Sequence, residues 1–195
     1  MPLYSLPALS DNYIWMLTDD AGNALVVDPG QVEPVEAALQ EHGLTLQAIL
    51  LTHHHPDHIG GAQTLRARHA ARVFAPHDPR IDGVDQRVAD GDHVNVERPS
   101  TRFQVLAVPG HTTSHVAYHG AGLLFCGDTL FSLGCGRLFE GTPAQMLDSL
   151  QRLAALPGDT RVCCGHEYTQ ANAAFARTVM PNNAALAARS AEVDA

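Results

Sequence analysis

A short apolar run that ends in a cluster of histidines constrains this chain more than any other feature of its sequence. Residues 46–52 read LQAILLT, which is rich in β-forming residues and too short for an unaided helix, and HHHPDH follows directly at 53–58. A helical pattern then begins at 62–69. A buried strand that leads through a loop into a helix is where α/β proteins commonly carry functional side chains. The cluster is therefore predicted to lie at one edge of a sheet.

The spacing inside the cluster predicts two neighbouring metal sites. His53 and His55 are two residues apart, so they point the same way in an extended loop. Asp57 and His58 are adjacent and are expected to turn toward a second point. Imidazole and carboxylate ligands suit several divalent ions, and we expect two of them, with Zn as the first choice and Fe or Mn as the alternatives. His54 is expected to lie on the surface of the loop.

Two metal sites need more ligands than one loop supplies, and three further segments offer them. His111, Asp128 and His166 each follow a predicted strand and a glycine, in the sequences PGH, CGD and CGH. A glycine lets the backbone turn sharply and bring the next side chain into the site. The remaining histidines lack this context and are expected to be structural: His42, His69, His77, His93, His115 and His119.

The rest of the chain predicts strands and helices in alternation. Strands are predicted at 13–19, 23–30, 73–76, 93–96, 102–110, 114–120, 122–128 and 160–165. Helices are predicted at 34–43, 142–156, 169–179 and 183–193. The second of these helices has Thr142 as its N-cap and Pro143 at its first position. This order predicts an α/β protein in which helices cover a pair of sheets.

Composition excludes several classes of function. The net charge is −9 and the 12 lysines and arginines form no basic run, so nucleic acid is not expected as a partner. No apolar run approaches the roughly 20 residues that cross a bilayer, and the first residues lack the basic start of a signal peptide. We therefore expect no membrane association, a cytoplasmic location and a monomer. The four cysteines are expected to be reduced thiols.

Four motifs resemble those of the metallo-β-lactamase superfamily, in the same order: THHHPDH, PGHTTSH, CGDTL and CGHEY. Within that superfamily, SDNYIWML, GDTLFSLGCGRLFEGTPAQM and GHEYT resemble glyoxalase II, the hydroxyacylglutathione hydrolases. The resemblance covers residues 1 to about 190. It implies an αββα sandwich, a four-layer arrangement of α and β elements. It also implies a catalytic domain at 1–168 and the start of a shortened C-terminal helical region at 169–195.

The resemblance also implies a ligand set and a reaction. The first metal would be held by His53, His55 and His111, the second by Asp57, His58 and His166, and Asp128 would bridge them. Asp57 would in addition be catalytic, because it would orient a metal-bridging hydroxide toward a carbonyl carbon. The implied reaction cleaves S-D-lactoylglutathione, or a related hydroxyacylglutathione, to glutathione and a hydroxy acid, a step of methylglyoxal detoxification. A thioester suits this reaction because its thiolate departs without a strong general acid.

Recognition of the glutathione moiety is implied for residues of two segments. Arg137, in GCGRLFEG, and Tyr168, in GHEYT, match positions that contact glutathione in the family. Phe139 stands where some relatives have a tyrosine, so one hydroxyl contact is expected to be absent.

Three alternatives remain open at this point. A glutathione-persulfide dioxygenase of the same superfamily would use one iron and oxygen, and a lactonase would use the same two-metal site. A truncated, non-catalytic metal-binding domain is the third. The segments LFEG and GHEYT favour the hydrolase over the dioxygenase, and the complete set of ligands favours an enzyme.

Overall fold

The first of two main sheets is built from the N-terminal half of the chain. The computed structural model describes residues 1–194, and this sheet has six strands in sequential order. The first three strands pair antiparallel and the last four pair in parallel. The strands are β1 (Leu3–Ala8), β2 (Asn12–Thr18), β3 (Asn23–Val27), β4 (Thr45–Leu50), β5 (Arg72–Pro76) and β6 (Gln86–Val88).

The second sheet has five strands in the order β13-β10-β9-β8-β7. Only the pairing of β10 with β13 is parallel. Its members are β7 (His93–Val96), β8 (Thr101–Ala107), β9 (Val116–Gly120), β10 (Leu123–Gly127) and β13 (Arg161–Cys164). A small ribbon of β11 (Leu130–Phe131) and β12 (Gly134–Cys135) lies between β10 and β13 in the sequence.

Three apolar clusters show that the two sheets face each other and that helices cover their outer faces. Between the sheets, Leu50 and Phe74 of the first pack with Phe103 and Tyr118 of the second. The outer face of the first sheet packs against α1 (Glu33–His42) and α3 (Ala62–His69), and that of the second packs against α4 (Pro143–Ala154). The remaining helices are α2 (Pro56–Ile59), α5 (Thr169–Val179) and α6 (Ala184–Val193). The αββα sandwich is thereby confirmed.

Most predicted elements lie close to their expected positions, and the exceptions have physical reasons. The strand predicted at 23–30 stops at Val27 because Asp28 adopts a left-handed backbone with φ of 51°. The sequence analysis missed β1, which contains Pro7; proline is tolerated there because β1 is an edge strand. It also missed β6, which has only three residues. The α4 N-cap is confirmed, since Thr142 Oγ1 accepts from the Gln145 amide at 3.3 Å.

The last two helices lie where they were predicted, and α5 packs on α6. The division into a catalytic domain at 1–168 and a helical region from 169 stays a prediction. Among residues 1–194, none of the helices is both long and apolar enough to span a membrane.

Candidate metal centre

The loops that follow β4, β8, β10 and β13 meet at one edge of the sandwich. The β4 loop carries the histidine cluster, and the short helix α2 places its last members. The structure brings together all seven side chains that the sequence analysis selected as metal ligands: His53, His55, Asp57, His58, His111, Asp128 and His166. They form two groups that share a carboxylate.

The first group contains three imidazoles whose nitrogens converge. His55 Nδ1 lies 3.1 Å from His53 Nε2 and 3.0 Å from His111 Nε2. The outward nitrogens of two of these rings face oxygen acceptors: His53 Nδ1 lies 3.0 Å from Thr52 Oγ1, and His111 Nδ1 donates to the carbonyl of Arg137 at 2.7 Å. The hydroxyl hydrogen of Thr52 is directed to Asp28 Oδ2, so Thr52 Oγ1 accepts from His53.

These hydrogen bonds fix where the lone pairs point. With hydrogens on their Nδ1 atoms, His53 and His111 both direct Nε2 lone pairs at His55 Nδ1. A single hydrogen on His55 Nδ1 cannot form good hydrogen bonds to both the His53 and His111 nitrogens. A metal cation, in contrast, accepts the lone pairs of all three rings. The donor set of the first group therefore fits a metal ion.

The second group combines a carboxylate with two imidazoles. Asp57 Oδ2 lies 3.3 Å from His166 Nε2 and 3.5 Å from His58 Nε2, and the two imidazole nitrogens are 3.3 Å apart. Asp128 reaches both groups: its Oδ1 lies 3.3 Å from His58 Nε2, and its Oδ2 lies 3.3 Å from His166 Nε2 and 3.4 Å from His111 Nε2. Asp128 Oδ1 is buried and accepts no hydrogen bond from residues 1–194, which leaves it available to a cation.

The two groups differ in their protonation before a metal binds. Burial, and then the neighbouring imidazoles, lower the pKa of His53 well below its usual value, and the same causes lower the pKa of His55 to about 4. Burial also lowers the pKa of His111. Burial opposes protonation of His166, but hydrogen bonds to Asp128 and Asp57 raise its pKa to about 10. The first group is thus neutral at pH 7, whereas the second holds protons between carboxylates.

Asp28 is a supporting residue that the sequence analysis did not select. It lies close enough to His53 and His58 to form a third group of possible ligands. Its oxygens already accept from the Thr52 amide at 2.8 Å, the Thr52 hydroxyl at 2.7 Å and His58 Nδ1 at 3.0 Å. Asp28 therefore orients the ligands rather than forming a separate site. Its position directly after β3 was a signal that could have indicated it.

His54 and His115 have more defined roles than their sequence context indicated. His54 is half-buried rather than on the loop surface, with Nδ1 3.5 Å from Asp78 and Nε2 3.8 Å from Glu140. His115 is buried and stacks on His53 with a ring separation of 4.5 Å. Its Nδ1 donates to its neighbour's carbonyl, and its Nε2 accepts from the Asp128 amide at 3.2 Å. His115 is therefore structural, as predicted, and supports both groups.

The residues predicted to bind substrate lie around a cavity that opens onto both groups. The cavity has a volume of about 420 Å³, and Arg137, Phe139 and Tyr168 line it together with the ligand side chains. Tyr168 stacks on His166 with ring centroids 4.9 Å apart. The ring centroids of Phe139 and His111 are 5.3 Å apart, and Cζ of the Arg137 guanidinium lies 5.1 Å from the Phe139 ring centroid. The structure thus places a cation and two aromatic rings beside the metal centre.

Replacing Gly165 with alanine is expected to weaken metal binding by the second group roughly 10- to 100-fold. An alanine Cβ would overlap Asp128 Oδ1 and lie 2.7 Å from His58 Cε1, so two side chains of the group would have to move. Metal content after dialysis against a chelator measures the effect. Gly158→Ala is the matched control, because its Cβ would meet nothing within 4 Å. Equal metal content in the two variants would contradict the close packing at Gly165.

Comparison with known proteins agrees with this geometry. Residues 9–166 match the family model of the metallo-beta-lactamase superfamily. The chain is 58% identical to the hydroxyacylglutathione hydrolase of Xanthomonas campestris over 196 residues, which cover 100% of this chain and 76% of that protein. It is 57% identical to the protein of the same name from Xylella fastidiosa, of which it spans 75%.

Two solved structures have a similar fold. ETHE1 from Myxococcus xanthus has a TM-score of 0.77 at 36% identity, over 86% of this chain and 76% of the other. TTHA1623, solved in a di-iron-bound form, has a TM-score of 0.71 at 29% identity, over 86% of this chain and 92% of the other. The fold and the two His/Asp groups that share Asp128 agree with the family match and with the 58% identity to a named relative. This chain belongs to the metallo-β-lactamase superfamily and, within it, to the hydroxyacylglutathione hydrolases.

Proposed function

We propose that this chain hydrolyses hydroxyacylglutathione thioesters, S-D-lactoylglutathione among them, to glutathione and a hydroxy acid. One observation carries the proposal: two ligand groups share the Asp128 carboxylate, and the same cavity exposes Arg137 and Tyr168. The names of the relatives support it, since they describe the hydrolysis of hydroxyacylglutathione. In the cell this reaction would serve methylglyoxal detoxification.

The proposed ligand set follows the two groups. His53, His55 and His111 would hold one divalent ion, Asp57, His58 and His166 the other, and Asp128 would contact both. When bound, two such ions supply an acidified water and polarise the substrate carbonyl. We propose Zn because imidazole and carboxylate donors suit it, and Fe is the alternative since a relative is known in a di-iron form.

Asp57 is proposed as the catalytic carboxylate. Hydrogen bonding to His166 lowers its pKa, so the carboxylate is an anion at neutral pH. Its side chain is 37% exposed and lines the cavity. Oδ2 is occupied by the histidines and by the Asn12 amide, so the other carboxylate oxygen can accept a proton or hydrogen bond from the attacking water. The thiolate can then leave without a dedicated acid.

Arg137 is proposed to bind the anionic glutathione moiety, and Tyr168 to pack against it. Arg137 is exposed at the cavity in a chain whose net charge is −9, so it offers a local positive charge to a peptide carboxylate. Phe139 holds the guanidinium by a cation–π contact but has no hydroxyl to donate. Phe139 is thus expected to contribute packing alone.

Replacing Arg137 with alanine is expected to raise KM for S-lactoylglutathione about 10-fold with little change in kcat. An exposed charge-assisted hydrogen bond contributes about 1.5 kcal/mol in ground and transition states alike. Arg137→Lys should recover part of the loss, since the charge remains. Steady-state kinetics measure the effect, and Arg102→Ala, at an exposed position of β8, is the control. A fall in kcat with unchanged KM would contradict this role.

Steady-state hydrolysis of S-lactoylglutathione by metal-loaded protein tests the proposal. A simple alkyl thioester and a chelator-treated sample run beside it. Metal-dependent turnover with a clear preference for the glutathione ester supports the proposal. Equal slow turnover of both esters would refute glutathione recognition. No thioester turnover with two metals bound would point to a lactonase, and oxygen uptake with glutathione persulfide and one iron would identify the dioxygenase.

The proposal includes a cytoplasmic, monomeric protein whose partner is its small-molecule substrate. The four cysteines are unpaired within residues 1–194, as is usual for proteins kept in a reducing compartment. Light scattering coupled to size exclusion would measure the mass of the particle against the 20.9 kDa of one chain.

A further inference from the structure

The β1–β2 turn, defined here as the connection between the two strands together with Asn12, the first residue of β2, touches the second ligand group directly. Asn12 Nδ2 donates to Asp57 Oδ2 at 3.0 Å and to the Asp57 carbonyl at 3.3 Å, and it lies 3.5 Å from His166 Nε2. Asn12 is 6% exposed, so water does not replace these contacts readily. One amide group therefore holds both the side chain and the main chain of Asp57, from a position 45 residues away in the sequence.

Asp11 holds the other end of the same group. Its Oδ1 accepts from His166 Nδ1 at 2.7 Å. This bond holds a hydrogen on His166 Nδ1, so Nε2 is the nitrogen that faces Asp57 and Asp128 and that can bind a metal once its own proton is displaced. A carboxylate behind a histidine ligand fixes its orientation and makes its nitrogen a stronger donor to a metal.

Hydrogen bonds join the turn to the segment that carries His166. The Tyr13 amide donates to the Gly165 carbonyl at 2.8 Å, and the Glu167 amide donates to the Asp11 carbonyl at 2.9 Å. The Tyr13 hydroxyl donates to Glu167 Oε2 at 2.9 Å. These three hydrogen bonds hold the two chain segments against each other. Asp11 and Asn12 therefore contact the second group from a fixed position.

Among residues 1–194, Asp11 and Asn12 make no hydrogen bond to the three histidines of the first ligand group. The outward nitrogens of His53 and His111 face Thr52 Oγ1 and the Arg137 carbonyl, which belong to the β4 loop and to the segment after β12. Asp28 and His115 support both groups, but the contacts of Asp11 and Asn12 reach the second group, so a change at these two residues can act on that group selectively.

We infer that Asn12 and Asp11 are positioning residues for the second metal only, through their contacts with Asp57 and His166. The inference rests on the proposed pair of metal ions. It states that the affinity of the second site, and not that of the first, depends on the β1–β2 turn.

Zinc titration against a chromophoric chelator tests this inference on the full chain. Wild type should bind two ions. In Asn12→Ala and Asp11→Ala, the dissociation constant of the second ligand group for zinc should rise roughly 10- to 100-fold, and that of the first group should be unchanged. Asp11→Asn should recover most of the affinity, because its amide oxygen still accepts from His166. Asn95→Ala, at an exposed position of β7, is the control.

Spectra separate a positioning role from general destabilisation. In Co²⁺-substituted protein, the absorption that appears with the second equivalent should change in both alanine variants, while that of the first equivalent stays as in wild type. Circular dichroism and thermal unfolding of the metal-free proteins report on the fold. The Asp11 side chain is 40% exposed, so Asp11→Ala should fold even if Asn12→Ala does not. In that case the comparison of Asp11→Ala with Asp11→Asn tests the inference.

Two results would overturn the inference. Unchanged affinities in folded variants would show that the turn is irrelevant to metal binding, and an equal loss at both sites would show that its role is not selective. In either case wild type would still bind two ions, so the proposed function would stand. Binding of fewer than two ions by wild type would instead refute the proposed metal pair, and with it the inference.

Discussion

Replacing Asp128 with asparagine is expected to remove the second metal and to lower kcat by roughly 10²- to 10⁴-fold. Asp128 is the carboxylate that reaches both ligand groups, and it lies beside His58, whose pKa is raised although burial opposes this. Polarisation of the substrate carbonyl by a bound metal stabilises the transition state by several kcal/mol, here taken as about 3–5 kcal/mol, and each 1.36 kcal/mol corresponds to about a factor of ten in rate. Asparagine keeps the size of the side chain, so this effect is one of charge.

Metal content and kcat measured on the same samples check this expectation. Asp148→Asn, at an exposed position of α4, is the matched control and should behave as wild type. An Asp128→Asn variant that retains two metals and wild-type kcat would contradict a shared carboxylate. Two retained metals with reduced kcat would limit the role of Asp128 to catalysis.

The position of the candidate site could be predicted because its side chains follow strand ends. His111, Asp128 and His166 come shortly after β8, β10 and β13, and β4 leads directly into the histidine cluster. Such positions are visible in the sequence as an apolar run, a glycine and a polar residue. The pair of sheets covered by helices was predicted from the order of strands and helices along the chain. Which metals bind, and through which ligands, stays a prediction.

The supporting residues could not be predicted from sequence patterns. Asp11 contacts His166 across 155 positions, and Asn12 contacts Asp57 across 45. Neither residue follows a strand and a glycine, and a turn between two strands is a common place for Asp and Asn. Hydrogen bonds between distant segments have no periodicity in the sequence. The same reason explains the contacts of His54 with Asp78 and Glu140.

The two ligand groups are therefore alike in their ligand types but not in their surroundings. The first is neutral and is supported by a hydroxyl and a carbonyl, whereas the second is charged and is supported by the carboxylates of Asp11 and Asp28. Carboxylate support makes an imidazole a stronger base, both toward protons and toward metals. Protons are consequently expected to compete with metal at the second group only.

Binding of the second metal is therefore expected to strengthen at least tenfold for each pH unit between about 6.5 and 10, because the pKa values of both His166 and His58 are raised, while binding of the first stays constant. Hydrogen bonds to Asp128 and Asp57 outweigh burial and raise the pKa of His166 to about 10, so a metal must displace its proton throughout this range. The pKa of His55 is lowered to about 4, so the first group loses no proton. Chelator-competition titrations at pH 6.5, 7.5 and 8.5 measure both constants, and the first site serves as the internal control.

The stability of the metal-free fold should change in the opposite direction over the same range. A pKa that is raised on folding contributes stability below the unfolded value near 6.5, and this contribution is lost as the pH rises toward the folded value of about 10. The melting temperature without metal should thus fall as the pH rises, and the increase in melting temperature on adding zinc should grow.

Metal affinities that change equally with pH at both sites would contradict separate protonation of the two groups. A constant second affinity would mean that His166 binds metal without displacing a proton, and hence that Asp57 and Asp128 do not hold it in the charged form.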